Sequence, residues 1–379
     1  MKFVLAPDSF KESMTAKQAA LAMEEGIRKV FPNAECVIIP MADGGEGTVD
    51  SLVDYTDGNI HEVEVTGPLG DKVSAAYGIT GDGKTAILEM ASASGIHLIK
   101  QEDRNPLLTT SYGTGELIKH VLDRGVSRIL MGIGGSVTND GGVGMLQALG
   151  VSFQDEAGQE LPFGGGSLNR LHRIDVRNLD KRLSGITFEV ACDVSNPLIG
   201  PSGASAIFGP QKGATHNMIE VLDHNLKHYA EIIHQQLGVD IAHVEGAGAA
   251  GGLGAGLMAF LQVEMKKGID LVIEYTELEK RMSGAAFVFT GEGSIDGQTR
   301  FGKTPYGVAS IAKKYGIPVI AFSGAVGEDV ECLYEHGFTA IVGIMKGVTP
   351  LDEALRQGSS NLSFAVENVC RLLKLREPK

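Results

Sequence analysis

A chain of 379 residues exceeds the size at which one hydrophobic core keeps growing, so two domains are expected. A formal net charge of −14 argues against a basic stripe that would release nucleic-acid counterions, and it opposes an anionic membrane surface. No apolar run reaches the ~20 residues of a membrane span, and the start "MKFVLAPDSF" enters a strand without a long apolar leader. Small-molecule partners, no nucleic acid, no membrane and a cytoplasmic location are the expectation, and a homo-oligomer is compatible with it.

The 51 glycines are close to twice the usual share of about 7% and gather in a few loops. Cys36, Cys192, Cys332 and Cys370 form no C-x-x-C pair. Cys36 and Cys192 sit in apolar runs and read as buried small side chains.

In chain order, "KFVLAP" reads as a strand, and Ala19, Ala20, Met23, Ile27 and Val30 recur at helical spacing between about Thr15 and Val30. "ECVIIPM" follows as a second strand and completes a βαβ unit. Residues 60–92 alternate as three strands around "PLGD" and "GDGK", a meander rather than a crossover unit. A helix from about Thr114 to Arg124, the strand "SRILMGIGG", a helix over 141–149, the strand "ITFEVACDV" and a long helix over 216–237 come next. On that long helix His216, His224 and His228 read as a solvated face, because no acidic or cysteine partner in the segment suggests a zinc site. Three further strands, "AAFVFTGEG", "IPVIAFSGAV" and "FTAIVGIM", alternate with helices around 305–315 and 327–336, and the terminal "KLREPK" reads as a helix end.

Short apolar runs alternating with helices imply an α/β fold with a doubly wound parallel sheet. The simplest organisation is one domain built from 1–60 plus 285–379, interrupted by an inserted mixed α/β domain over 61–284, with a ligand cleft at the seam.

In open α/β sheets ligands bind beyond the carboxyl ends of the strands. The loops there supply Asp8, Ser9 and Lys11, then Asp43 and Glu46, then Ser136, Thr138, Asn139 and Asp140, then Asp193 and Asn196, then Asp296, Gln298 and Thr299. Any one loop could be ordinary turn chemistry; five together suggest a shared site. Glycines before a helix, as in "GIGGSVTNDGGVG", let backbone amides point at an anion, and "EGAGAAGGLGAGL" at 245–257 offers the same device. Neither loop matches G-x-x-x-x-G-K-[ST], and there is no G-x-S-x-G elbow. Phosphoryl transfer needs cations near the phosphates and carboxylates for Mg²⁺. Lys11 and Lys212 are the lysines embedded in loop motifs, and Asp43, Asp193 and Asp296 are candidate metal carboxylates.

"APDSFKESMTA", "MADGGEGT", "SYGTGELI", "GIGGSVTNDGGVGMLQALG", "FGPQKGA", "GAGAAGGLG" and "TGEGSIDGQT" together resemble the bacterial glycerate kinases of the first type. The likeness runs in order over essentially the whole chain. It implies a flavodoxin-like domain interrupted by a second α/β domain, and ATP- and Mg²⁺-dependent phosphorylation of D-glycerate to 2-phosphoglycerate, with 3-phosphoglycerate as the alternative. Individual roles rest on loop position rather than on the likeness. Asp8, Ser9, Lys11, Glu46 and Asn196 are expected at the substrate. Gly134, Gly135, Ser136, Thr138, Asn139, Asp140 and Lys212 are expected at the nucleotide, and Asp193 or Asp296 at the metal. Asp43, Lys11 and Asp193 are the expected catalytic group, Asp43 orienting or deprotonating the hydroxyl. A sugar-acid sensor, or a kinase for another small hydroxy acid or for glycerol, are the alternatives.

Overall fold

The computed structural model describes residues 1–45 and 47–375, so Glu46 and residues 376–379 of the terminal segment lie outside it. The described strands are β1 (Lys2–Leu5), β2 (Glu35–Ile38), β3 (Asn59–Thr66), β4 (Lys72–Ile79), β5 (Thr85–Glu89), β6 (Arg128–Gly132), β7 (Ser152–Gln154), β8 (Arg173–Asp175), β9 (Thr187–Ala191), β10 (Val263–Lys266), β11 (Phe287–Ile295), β12 (Val319–Val326) and β13 (Phe338–Gly343). The chain forms two compact units. One comprises Met1–Asp43, Asp50–Asp57 and Lys267–Lys379, and the other Gly44–Val49 and Gly58–Lys266. The helices Gly268–Tyr275 and Leu278–Met282 therefore go with the first unit.

The first unit carries a five-stranded sheet in the order β13-β12-β11-β1-β2, every neighbouring pair parallel. With β11 to β13 as its third to fifth strands, this is the 2-1-3-4-5 order of flavodoxin-like folds. Its central strands bury Phe3, Leu5, Phe289 and Phe322, each stabilising the fold by roughly 1.5–3 kcal/mol. The helix Ala16–Arg28 starts where Thr15 and Gln18 close a capping box. Its buried Ala19, Ala20, Met23 and Ile27 form the predicted stripe. Gly26 allows the helix Gly358–Lys374 to approach, because a side chain there would press on the Ser363 carbonyl and Val366. Around 327–336 the expected helix is only a 3₁₀ turn, Val330–His336, held between left-handed Asp329 and Gly337. Cys36 is half-buried rather than buried, since β2 is an edge strand. Cys192 is also half-buried, and Cys370 is the buried cysteine.

The second unit carries a six-stranded mixed sheet, β10-β9-β6-β5-β4-β3, in which β3, β4 and β5 form the expected antiparallel meander and β5, β6, β9 and β10 run parallel. The segment 245–257 is not an open glycine loop. Most of it enters the helix Ala249–Phe260, kinked by left-handed Ala250, Gly251 and Gly252. The helix packs on the loop after β6 backbone to backbone. A side chain on Gly251 would collide with the Thr138 carbonyl, one on Gly256 would crowd the Gly141 carbonyl, and the Gly141 amide donates to the Gly251 carbonyl at 3.1 Å. His216 and His224 are exposed, as expected, whereas His228 is half-buried with its Nε2 2.7 Å from the Leu171 carbonyl.

Candidate active site

Two groups of polar residues lie at the carboxyl ends of the strands, one in each unit. In the first unit, backbone pairing continues past β1 and β2: the Asp8 amide donates to Gly291 at 2.8 Å and the Met41 amide to Pro7 at 2.9 Å. This brings Asp8, Asp43 and Glu292 into one electrostatic neighbourhood. Asp8 accepts from the Ser9 amide at 2.6 Å and from the buried Thr304 hydroxyl. Glu292 accepts from Thr299 Oγ1 at 3.3 Å and from Lys303 Nζ at 3.5 Å. Burial, with the charge of Asp43 adding, pushes Asp8 up to about 6. Burial also pushes Glu292 up to about 7, opposed by Lys303 and reinforced by Asp8 and Asp43. Lys11 is exposed, its backbone running beside Gly293. Asp296 uses Oδ1 to accept from the Gln298 amide at 2.9 Å, capping the turn Gly297–Phe301.

In the second unit the loop after β6 divides into two parts. Gly134 and Gly135 are exposed, whereas Ser136 to Asp140 are buried. Asp140 is the anchor: its carboxylate accepts from the Ser111 amide and hydroxyl, both at 2.8 Å, and from the amides of Gly142 and Gly144 at 3.2 and 3.3 Å. Two of these donors belong to the start of the helix Val143–Ala148, and the Met145 amide goes to Ser111 Oγ at 3.0 Å. That helix start serves the protein's own carboxylate and does not point outward at an anion. Asn139 pairs with Ser205 at 3.2 Å.

Beneath the loop lies Lys212, 1% exposed, whose Nζ donates to Ser136 Oγ and to the Thr138 carbonyl, each at 2.7 Å. Burial drives its ammonium down to about 7, against the attraction of Asp140. The predicted nucleotide residues Ser136, Thr138 and Lys212 are thus in direct contact, with Asp140 near enough to act on the ammonium. Also in the second unit, Asp193 is exposed beyond β9, and Asn196 closes its own turn by donating to the Ser202 carbonyl at 2.8 Å.

Sequence reasoning did not single out Glu292, Lys303, Thr304 or Ser111. Glu292 was hidden inside an apolar run read as strand. The phrase "GKTP", which carries Lys303 and Thr304 at a helix start, was the available signal.

The glycerate kinase family model matches residues 3–374. The chain belongs to the glycerate kinase family. Relatives of this glycerate kinase family member include a glycerate kinase of Haemophilus influenzae, 55% identical over 98% of this chain and 99% of that one. A glycerate 2-kinase of Escherichia coli is 52% identical over 99% and 98%. The crystal structure of a Salmonella typhimurium LT2 protein provisionally named glycerate kinase 2 matches with a TM-score of 0.91 at 49% identity, covering 99% of this chain and 98% of that chain. Membership of the glycerate kinase family makes the protein an ATP-dependent kinase. Among the described residues, no helix is long and apolar enough to cross a membrane.

Proposed function

We propose that this kinase phosphorylates D-glycerate with ATP and releases 2-phosphoglycerate, with 3-phosphoglycerate as the alternative product. The observation that carries the reading is Gly134. Its φ is one that any residue can adopt, and a side chain on it would meet nothing within 4 Å. The fold does not require glycine there, but a phosphate chain lying against the backbone would. Directly behind it, the Ser136 and Thr138 segment rests on a buried lysine, whose charge favours an anion nearby.

Gly134, Gly135 and Ser136 would seat the triphosphate, while Thr138, Asn139, Asp140 and Lys212 form the base of that seat. In the first unit Lys11, Asp8 and Ser9 would receive the glycerate, its carboxylate going to Lys11; Asn196 is the substrate candidate of the second unit. Asp43 would orient or deprotonate the attacking hydroxyl, in a neighbourhood it shares with the carboxyl groups of Asp8 and Glu292. Magnesium, when bound, neutralises phosphate charge, and Asp193 or Asp296 would hold it. Their hard oxygens suit it, and Mg²⁺ commonly takes one or two protein carboxylates beside phosphate and water. Four unpaired cysteines agree with a reducing, cytoplasmic setting.

The test is ³¹P NMR of wild-type protein with ATP, Mg²⁺ and D-glycerate, beside tartronate and glycerol. The reading expects ADP and 2-phosphoglycerate in equal amounts. Binding without ADP release would instead identify a sensor. Asp43→Asn should lower kcat by about 10²–10⁴-fold with little change in KM for ATP.

A further inference from the structure

We infer that Lys212 is a positioning residue for the nucleotide, holding the Gly134–Ser136 turn in shape from beneath through Ser136 Oγ and the Thr138 carbonyl, without touching the phosphates itself. The inference rests on the reading that this turn seats ATP.

The placement of Lys212 is built rather than incidental. It ends the short turn Pro210–Lys212, followed by Gly213 at φ +88°, where a side chain would collide with the Arg104 carbonyl. Arg104 NH1 in turn donates to the Gln211 carbonyl at 3.4 Å. The turn that presents Lys212 is therefore clamped on both sides of the residue, and the lysine has little freedom to swing outward. Its Nζ already spends two hydrogen bonds of 2.7 Å on the loop. The neighbouring hydroxyl of Thr138 is buried and lacks a partner, so the ammonium reaches past it to the main chain.

Side chains from three separate segments tie the loop. Ser111 meets Asp140, Ser205 meets Asn139, and Lys212 meets Ser136 and Thr138. Main-chain bonds hold the turn as well, since the Ile96 amide donates to the Gly135 carbonyl at 2.8 Å and the Val137 amide to the Ser94 carbonyl at 3.0 Å; of the side-chain ties, the one from Lys212 lies nearest in sequence to Gly134 and Gly135. Taking an ammonium out of water is costly, and a neutral side chain could have made a purely structural tie. A cation there adds what a neutral tie cannot, a favourable field for a polyanion resting on the turn above. Desolvation pushes the lysine down to about 7, and a bound polyanion would draw it back toward the charged form.

The experiment compares wild type, Lys212→Met, Ser136→Ala and the double variant, with KM for ATP and KM for glycerate measured separately. Melting curves confirm that each variant is folded, and Lys212→Gln replaces Lys212→Met if the latter is not. The expected result for Lys212→Met is a rise of about 10–100-fold in KM for ATP, with KM for glycerate changed less than about twofold. Ser136→Ala should produce a smaller rise, and the double variant should be no worse than Lys212→Met alone, because both remove the same tie. Losses that multiply in the double variant would mean that the lysine meets the phosphates independently and would overturn the inference. So would a folded Lys212 variant with the wild-type KM for ATP, or equal rises in both KM values. Failure of the underlying reading looks different: a substitution in the turn itself, Gly134→Ala, would also leave KM for ATP at the wild-type value.

Discussion

The two polar centres use burial with opposite sign. In the first unit three carboxylates, Asp8, Asp43 and Glu292, share one neighbourhood, and burial holds two of them near the proton at pH 6–7. In the second unit an ammonium is buried, and the adjacent carboxylate Asp140, which burial also pushes up, is surrounded by four donors from its own fold. A carboxylate that its own fold saturates with donors is structural. Carboxylates crowded together with few donors are kept at a cost, which is the usual mark of a working site. The loop after β6 shows the same division over a few residues, with its buried half packed backbone to backbone and its exposed half left open.

The largest effect that could break this contrast is on stability. Asp140→Ala would leave the Ser111, Gly142 and Gly144 donors without an acceptor inside the core, at a cost of about 3–5 kcal/mol. Asp8→Ala should cost less, because Asp43 adds to burial in disfavouring its charge and two donors rather than four, the Ser9 amide and the Thr304 hydroxyl, lose their acceptor. Urea titration followed by circular dichroism measures both, and equal losses would erase the distinction.

A smaller effect sharpens it. Because Glu292 is raised in the folded protein, it stabilises the fold fully below its unfolded value near 4.5, and that contribution fades as pH rises through about 7. Glu292→Gln should therefore match wild type near pH 4 and gain stability over it as pH approaches 8, by at most about 3 kcal/mol. A pH-independent difference would remove Glu292 from the crowded cluster.

The parallel sheet was legible because its buried strands read as continuous apolar runs, and the helix Ala16–Arg28 because Thr15 and its stripe mark it. The helix Ala249–Phe260 was not, since its glycines argue against helix locally and only packing against Thr138 and Gly141 favours it. At the site, strand-end position was enough to nominate Asp8, Asp43 and Asp140, and the loop motif "FGPQKGA" nominated Lys212. It could not reveal that Asp140 and Lys212 are buried supports, nor that Glu292, written inside an apolar run, shares a neighbourhood with Asp8. Those facts depend on which segments pack together, and residue type alone does not carry them.

The central claim is that Gly134 is glycine for the sake of the nucleotide. The most direct measurement is KM for ATP in Gly134→Ala, since a Cβ there meets nothing within 4 Å and the φ is not in the left-handed region. The account predicts an unchanged melting temperature and a rise of about tenfold or more in KM for ATP. A folded Gly134→Ala protein with the wild-type KM for ATP would contradict it.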